Sequence, residues 1–147
     1  MSAEKNIATV RRYYEECTND DGDPDKKHAL AVADEIVSTD FAMYFNNEND
    51  AEAKRGKDKH KEFLVGHTRA FNGERWIVEG IIADEQTVAS RWRIQATHTK
   101  TGNPIDLRAA DFFTIRNGQL AELRRFLDFR TLVEQTQPVP ARQEASD

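Results

Sequence analysis

Residues 105–127 read IDLRAADFFTIRNGQLAELRRFL, two runs rich in apolar residues on either side of Asn117-Gly118. Asn117 and Gly118 are the two residues that tolerate the positive φ angles of a type I′ turn. The stretch therefore predicts a hairpin of two antiparallel strands on either side of that turn. In the first strand Asp111 interrupts the apolar run Ala109–Phe113. A carboxylate in such a run requires either a partner or a function.

Two more strands are predicted before this hairpin. The apolar, β-branched run that starts at Trp76 stops at the polar turn Asp84–Gln86, and the alternating run after it stops at Lys100–Pro104. Sequential strands joined by such short turns pair antiparallel with their neighbours. The four predicted strands are Trp76–Ile82, Thr87–His98, Ile105–Ile115 and Leu120–Leu127.

The front half of the chain has helical periodicity instead. We expect a first helix from Ile7 to Cys17, and a second that Asp23 caps, with Pro24 as its first residue. A short strand, Phe41–Asn46, precedes a third helix. The predicted apolar face of that third helix consists of His60, Phe63, Leu64, His67 and Phe71. Helices followed by a meander of strands indicate an α+β fold with three helices on one face of the sheet.

Composition narrows the class of protein. We expect one domain over residues 1–135, followed by a disordered tail over residues 136–147 that has two prolines and little apolar content. A net charge of −5 argues against a nucleic-acid partner. A lone cysteine, Cys17, and a polar N-terminal segment predict a cytoplasmic protein, and no apolar run is long enough for a membrane span.

Three motifs resemble a known superfamily, the nuclear-transport-factor-2-like fold. The motifs are Arg91-Trp92, four residues, and Thr97-His98-Thr99; then Ile115–Leu120; then Phe126–Phe129. Over about residues 5–135 the chain is most similar to the SnoaL-like and ketosteroid isomerase-like members, which include polyketide cyclases and limonene-epoxide hydrolases. The resemblance implies a strongly bent, mixed or antiparallel sheet that forms a cone around the helices. Its pocket would take a small molecule without a cofactor.

The resemblance also suggests site residues. Asp111 stands where ketosteroid isomerases keep a protonated acid, and Tyr13 matches their oxyanion tyrosine, while their base aligns with Asn46. Tyr44 and Asn46 resemble the water-binding pair of the epoxide hydrolases. Arg93 and Arg125 stand at the positions of the epoxide hydrolases' two catalytic acids, and Arg125 also at that of the SnoaL-like general base. Each of the three chemistries therefore lacks its key base here. The residues expected to line the cone are Tyr13, Tyr44, Asn46, Phe63, His67, Ala109, Asp111, Phe113 and Arg125.

Asp111 allows two interpretations. Pairing across the turn as 115 with 120 and 113 with 122 would place Asp111 opposite Arg124, so Arg124 or Arg125 lies close and a satisfied ion pair is one outcome. The other is a catalytic Asp111 that exchanges a proton near neutral pH, with Arg125 turned toward the substrate. A buried ion pair is costly to desolvate, so its presence alone is weak evidence for stability.

The two histidines of the third helix invite a metal interpretation, which their spacing excludes. His60 and His67 are two turns apart, roughly 10 Å, too far to bind one ion together. We therefore expect no metal. His67, near the pocket mouth, remains a possible general acid or base, because an unperturbed imidazole titrates near neutrality. The alternative is a histidine that caps the core through a backbone hydrogen bond.

The strand at residues 87–98 presents two possible inner faces. The resemblance to epoxide hydrolases would turn Arg91 and Arg93 inward, whereas simple alternation buries the opposite face and turns both arginines out. The opposite face consists of Val88, Trp92, Ile94 and Ala96. Both faces are covered if the outer sheet face forms a dimer interface, so we expect a homodimer, as is usual in the family.

Two classes of function follow. One is an isomerase, cyclase or dehydratase that acts by proton transfer on a small apolar carbonyl or cyclic compound. It would use Asp111 as acid or base, Tyr13 and Tyr44 as donors, and Arg125 to stabilise negative charge. The other is a non-catalytic module that uses the same pocket to bind a small ligand. Fold alone does not decide between them.

Overall fold

The computed structural model describes residues 2–138, and they form four α-helices, one π-helix and six strands. The helices are α1 (Ala3–Arg12), the π-helix (Tyr13–Thr18), α2 (Lys27–Ile36), α3 (Lys57–Ala70) and α4 (Phe129–Gln135). The strands are β1 (Val37–Phe45), β2 (Lys54–Arg55), β3 (Phe71–Ala83), β4 (Thr87–His98), β5 (Pro104–Arg116) and β6 (Gln119–Leu127).

The six strands make one mixed, open sheet in the order β2-β1-β6-β5-β4-β3. Strand β1 pairs parallel with β6, and the other neighbours are antiparallel. Shifts of register along β3 and β4, next to Arg75 and Gly80, bend the sheet. The predicted α+β cone is confirmed.

The hairpin that decides the fold forms as predicted, with one difference of register. Asn117 and Gly118 have φ angles of 51° and 75°, as a type I′ turn requires. A bulge between Thr114 and Ile115 shifts the pairing by one residue, so that Asp111 lies opposite Arg125 rather than Arg124. Because neighbouring residues of a strand point to opposite faces, this one-residue shift decides which arginine enters the core.

Strand β4 buries the face that simple alternation predicts. Val88, Trp92 and Ile94 are at most 4% exposed, whereas Arg91 lies on the solvent side. Arg93 also points out and pairs with Asp106 of β5. The inward orientation of Arg91 and Arg93 that the epoxide hydrolases suggest is therefore wrong.

Several elements differ from the predicted ones. Strand β1 begins at Val37 and not at Phe41, β2 was not predicted, and Phe71, expected on the apolar face of the third helix, is the first residue of β3. Helix α2 begins at Lys27 and not at Pro24, because Lys26 has a left-handed φ of 53°, and the carboxylate of Asp23 accepts the backbone N–H of Lys27 across this turn. Strand β3 begins at Phe71, five residues before Trp76. Helix α4 was not predicted; Asp128 caps it through the N–H of Thr131.

The described residues include no helix long and apolar enough to cross a bilayer. Of the predicted C-terminal tail, residues 139–147 lie outside the described part of the chain.

Candidate functional site

A cavity of about 220 Å³ lies between helix α3, the inner face of the sheet and helix α4. Its wall is almost entirely aromatic and aliphatic, and Arg125 and His67 are its charged or titratable members. The lining residues are Phe45, Phe63, His67, Phe71, Trp76, Trp92, Ile94, Ile105, Leu107, Arg125, Leu127, Phe129 and Leu132. A concave apolar space with few polar groups is what small-molecule sites have in common.

Arg125 is bound to Asp111 by two parallel hydrogen bonds. Its Nε donates to Oδ1 at 2.8 Å and its Nη2 to Oδ2 at 2.9 Å, and both residues are at most 1% exposed. Burial alone would lower the pKa of Arg125, but the charge and hydrogen bonds of Asp111 outweigh it and leave that pKa raised. Arg125 is thus permanently charged and fixed in orientation.

A tyrosine completes this ion pair. The hydroxyl of Tyr14 lies 2.6 Å from Asp111 Oδ2, to which it donates, and 2.7 Å from the hydroxyl of Ser90. Burial, and then the charge of Asp111, hold the pKa of Tyr14 well above 10. Asp111 therefore accepts three hydrogen bonds, and it is not among the described residues that line the cavity.

Two tryptophans cover the guanidinium of Arg125. Its central carbon lies 4.9 Å from the ring centroid of Trp76 and 4.8 Å from that of Trp92. The two ring centroids are 4.2 Å apart. These aromatic faces attract the cation and keep it dry on the side where Asp111 does not bind it. The guanidinium is therefore held between Asp111 and the two rings, and Arg125 is still one of the residues that line the cavity.

His67 is the second polar residue of the cavity wall, and its partner is a glutamate. Its Nδ1 lies 2.8 Å from Glu74 Oε2, and Glu74 is 1% exposed. Because a carboxylate only accepts, Nδ1 donates the proton of this bond, and Nε2 is the unprotonated nitrogen of the corresponding neutral tautomer. The carboxylate thereby fixes both the tautomer and the orientation of the ring. The alternative for His67, a histidine that caps the core through a backbone hydrogen bond, is not what the structure shows: the partner of its Nδ1 is the Glu74 side chain.

Glu74 is itself held by a buried lysine. Lys26 Nζ lies 4.0 Å from Glu74 Oε1 and donates to the hydroxyl of Thr68 at 2.9 Å. Burial lowers the pKa of Lys26, and the negative charge of Glu74 opposes that effect. The lysine, the glutamate and His67 form a chain of charged and polar groups that runs from the core to the cavity. No group of three or more potential metal-binding side chains occurs within residues 2–138.

Tyr13 belongs to the core and not to the cavity wall. Its hydroxyl lies 2.8 Å from His60 Nε2, and both side chains are at most 2% exposed. Burial raises the pKa of Tyr13, while burial and the charge of Arg125 lower that of His60 to about 3. His60 is therefore a neutral core histidine. The predicted placement of Tyr13 in the pocket is wrong, because its ring packs against Phe113 beneath the cavity.

Tyr44 lies on the outer face of the sheet. Its hydroxyl donates to Asp50 Oδ1 at 2.8 Å, and its ring lies under the guanidinium of Arg124 at 3.9 Å. Asn46 is used by the backbone: its N–H donates to the carbonyl of Arg125, and its side-chain oxygen accepts the N–H of Leu127. Neither lines the cavity as predicted, but Asn46 fixes the strand segment that carries Arg125.

The predicted wall is therefore only partly formed. Phe63, His67 and Arg125 line the cavity, whereas Ala109, Asp111 and Phe113 lie on the same inner face but are not part of its wall. The expectation that Arg125 is turned to substrate and free of Asp111 is wrong, since the two are bound in a bidentate pair. The side chain of Arg125 contacts the cavity and the carboxylate at once, and so lies between them.

The comparisons with known proteins agree with this architecture. A family model described as the SnoaL-like domain matches residues 10–123, so the chain belongs to the SnoaL-like family. No curated protein matches the sequence.

Solved structures share the fold at low sequence identity. A candidate SnoaL-like polyketide cyclase from Jannaschia sp. CCS1 has a TM-score of 0.80 and 20% identity, over 94% of this chain and 95% of that one. Bal32a, from a soil-derived mobile gene cassette, has a TM-score of 0.74 and 16% identity, over 92% and 98%. An LEH-like epoxide hydrolase from M. tuberculosis has a TM-score of 0.69 and 13% identity, over 90% and 92%.

Sequence reasoning missed Glu74, Lys26 and Tyr14. A signal existed for Glu74, since it is two residues before Trp76 and therefore on the same face, but the strand was expected to begin only at Trp76. Tyr14, in the π-helix, takes the place expected for Tyr13 as the tyrosine that donates to Asp111. For Lys26 there was no local signal.

We expect Asp111→Asn to lower the free energy of unfolding by about 3 to 5 kcal/mol, because the change leaves the buried guanidinium of Arg125 unpaired. Denaturant unfolding followed by circular dichroism measures this loss. Asp106→Asn is the matched control. Asp106 lies on the same strand as Asp111, but its ion pair with Arg93 of β4 is partly exposed, so we expect a much smaller loss of unfolding free energy. Equal losses in the two variants would contradict the account.

The stability should also depend on pH through His60. Its pKa is 6.5 in an unfolded chain and about 3 in the fold, so the unfolded state binds more protons below pH 6.5. Stability is therefore highest above pH 6.5 and is lost as the pH falls, by about 1 kcal/mol between pH 7 and 5.5 from this residue. His60→Gln should remove this part of the pH dependence, whereas the surface variant His28→Gln should retain it. If the unfolding free energy of wild type and of His60→Gln changed with pH in the same way, His60 would not be the source of this pH dependence.

Proposed function

We propose that this SnoaL-like protein is a cofactor-free enzyme that transfers a proton on a small, largely apolar carbonyl or cyclic compound, as an isomerase, cyclase or dehydratase does. The observation that supports it is His67, a histidine in an apolar cavity whose Nδ1 is held by the buried carboxylate of Glu74. A base oriented by a second group in this way is the arrangement that general acid–base catalysis requires.

The roles follow from the contacts. Nε2 of His67 removes a proton next to the carbonyl group, and the same nitrogen returns it at another position or to a leaving group. Arg125 stabilises the negative charge that develops on the carbonyl oxygen; because Asp111 already holds the guanidinium, no reorganisation is needed during the reaction. Asp111 acts as a positioning residue for Arg125, and Glu74 as one for His67. Tyr13 and Tyr44 have no part in this mechanism.

A non-catalytic ligand-binding module is the second candidate. The observation that favours it is the closed ion pair: Asp111 is already saturated by Arg125 and Tyr14, so it is not available to exchange protons with a ligand. In that case Arg125 would only hold a carbonyl or anionic group. His67 is the residue whose replacement separates the two functions.

We expect the wild-type protein to accelerate the isomerisation of 3-cyclohexenone to 2-cyclohexenone, or deuterium exchange next to the carbonyl of cyclohexanone. His67→Gln should lower that rate by about 100-fold or more while ligand binding is retained. Ultraviolet absorbance and proton NMR measure the two reactions. His28→Gln, in which an exposed histidine paired with Glu16 is changed, is the control that should keep full activity.

An unchanged rate in His67→Gln would reject the catalytic role of His67. Saturable binding of both ketones with no acceleration of either reaction would favour the ligand-binding module instead.

We further propose that the protein is a homodimer through the outer face of the sheet. Phe112 and Phe126 are 45% and 43% exposed there, with ring centroids 5.9 Å apart, and Ile82 is 72% exposed. Contiguous exposed apolar side chains on a sheet face are typical of an interaction surface.

Phe112→Glu should convert the dimer into a monomer, because it places a charge in the apolar interface. Light scattering coupled to size-exclusion chromatography measures the mass. Ala8→Glu, at an exposed position of helix α1, is the control that should leave the dimer intact. A wild-type monomer at micromolar concentration would contradict the proposal.

A further inference from the structure

Lys26 is a buried cation to which the proposed mechanism assigns no role. Its side chain is 1% exposed, and its backbone has a left-handed φ of 53°, which residues other than glycine rarely adopt. Burying an ammonium group and holding a residue with a side chain in this conformation both cost free energy. The charge of Lys26 therefore requires a partner inside the protein.

Oxygen atoms surround the ammonium group. Nζ donates to the hydroxyl of Thr68 at 2.9 Å and lies 4.0 Å from Oε1 of Glu74, which is itself 1% exposed. The negative charges of Asp20 and Asp21 also act on Lys26, but both residues are exposed, so solvent screens them. Glu74 is therefore its partner in the core. The titratable groups that act on Lys26 from the neighbouring segments are Glu74, Asp21, Cys17 and Asp20.

The carboxylate of Glu74 serves two basic groups at once. Oε1 faces Lys26, and Oε2 accepts the hydrogen bond from Nδ1 of His67 at 2.8 Å. Glu74 carries one negative charge, which balances one cation in the core. When Lys26 supplies that cation, a second proton on the His67 ring adds a positive charge that has no counter-ion. The other groups packed against the imidazole are uncharged rings, with centroids 4.7 to 5.6 Å from its own: Phe63, Phe71 and Trp76.

We propose that Lys26 is a further positioning residue of the site, whose ammonium group balances the charge of Glu74 and so keeps His67 a neutral base at neutral pH. Lys26 acts through Glu74, since it is not among the described residues that line the cavity. The inference deepens the proposed function and rests on it for the use of Nε2 as a base. Its own content is the protonation state of His67, which is measured without turnover.

Replacing Lys26 tests this charge balance. Lys26→Met removes the charge and keeps an unbranched side chain at the same left-handed backbone position. His67 should then become the counter-ion of Glu74, so that the pH at which half of the His67 rings are protonated rises by about one unit or more. Nitrogen-15 chemical shifts of His67 across a pH series measure this midpoint. Lys26→Arg, which retains the charge, and Lys27→Met, which removes an exposed charge from the next residue, should both keep the wild-type midpoint.

The wild-type protein supplies a second measurement that needs no variant to fold. Burial lowers the pKa of Lys26, so its charge at neutral pH is itself a test. The nitrogen-15 shift of Nζ should be that of an ammonium group at pH 7. A neutral amine would overturn the proposal, because it offers Glu74 no charge. An unchanged midpoint in Lys26→Met, or an equal rise in Lys26→Arg or Lys27→Met, would overturn it as well.

This inference and the proposed function fail separately. If His67→Gln keeps full activity while the midpoint rises in Lys26→Met, only the catalytic function is rejected. If turnover depends on His67 while the midpoint stays unchanged, only the role of Lys26 is rejected. When both are correct, the acidic limb of the pH–rate profile should move to higher pH in Lys26→Met by the same amount as the midpoint.

Discussion

The ion pair between Asp111 and Arg125 is the interaction on which the rest of the structure depends. Two buried charges are stable together only when their hydrogen bonds are satisfied, and here Tyr14 from the π-helix completes the carboxylate while Trp76 and Trp92 cover the guanidinium. The pair therefore ties β5 to β6, and the Tyr14 hydroxyl ties the π-helix to the same carboxylate. Removing one partner leaves a buried charge without its counter-ion.

This constraint also decides which groups are available for chemistry. The carboxylate of Asp111, which interrupts the apolar strand, is already bound by Arg125 and Tyr14, so His67 is the group of the cavity wall to which we assign the proposed proton transfer. Glu74 acts in a similar way on His67: its buried carboxylate orients the imidazole ring in the cavity wall. In both cases a residue of the core holds a residue of the wall, which is how rigid sites are built.

The sequence predicted the α+β class and the hairpin at Asn117-Gly118, because turn chemistry and alternation are local signals, and the family resemblance predicted the cone. The inner face of β4 stayed open, since alternation and the epoxide-hydrolase resemblance favoured opposite faces. For the partner of Asp111 the sequence left two candidates, Arg124 and Arg125. The bulge at Thr114 and Ile115 decides between them, because a shift of one residue turns the other arginine toward the core, and a bulge has no clear local signature in the sequence. Residue-by-residue transfer from relatives placed Tyr13 and Tyr44 in the pocket. In the structure the Tyr13 hydroxyl pairs with His60 in the core, and the Tyr44 ring packs against Arg124 on the outer face, contacts between elements that no local pattern of the sequence indicates.

The central claim is that His67, oriented by Glu74, is the base of an apolar cavity. The protonation of its two ring nitrogens, read from nitrogen-15 chemical shifts of the labelled protein, tests this most directly. We predict that the neutral form of the ring carries its proton on Nδ1, and that Glu74→Gln weakens the dominance of this tautomer. A neutral ring protonated on Nε2 in the wild type would contradict it, because that nitrogen could not then accept a proton from a substrate.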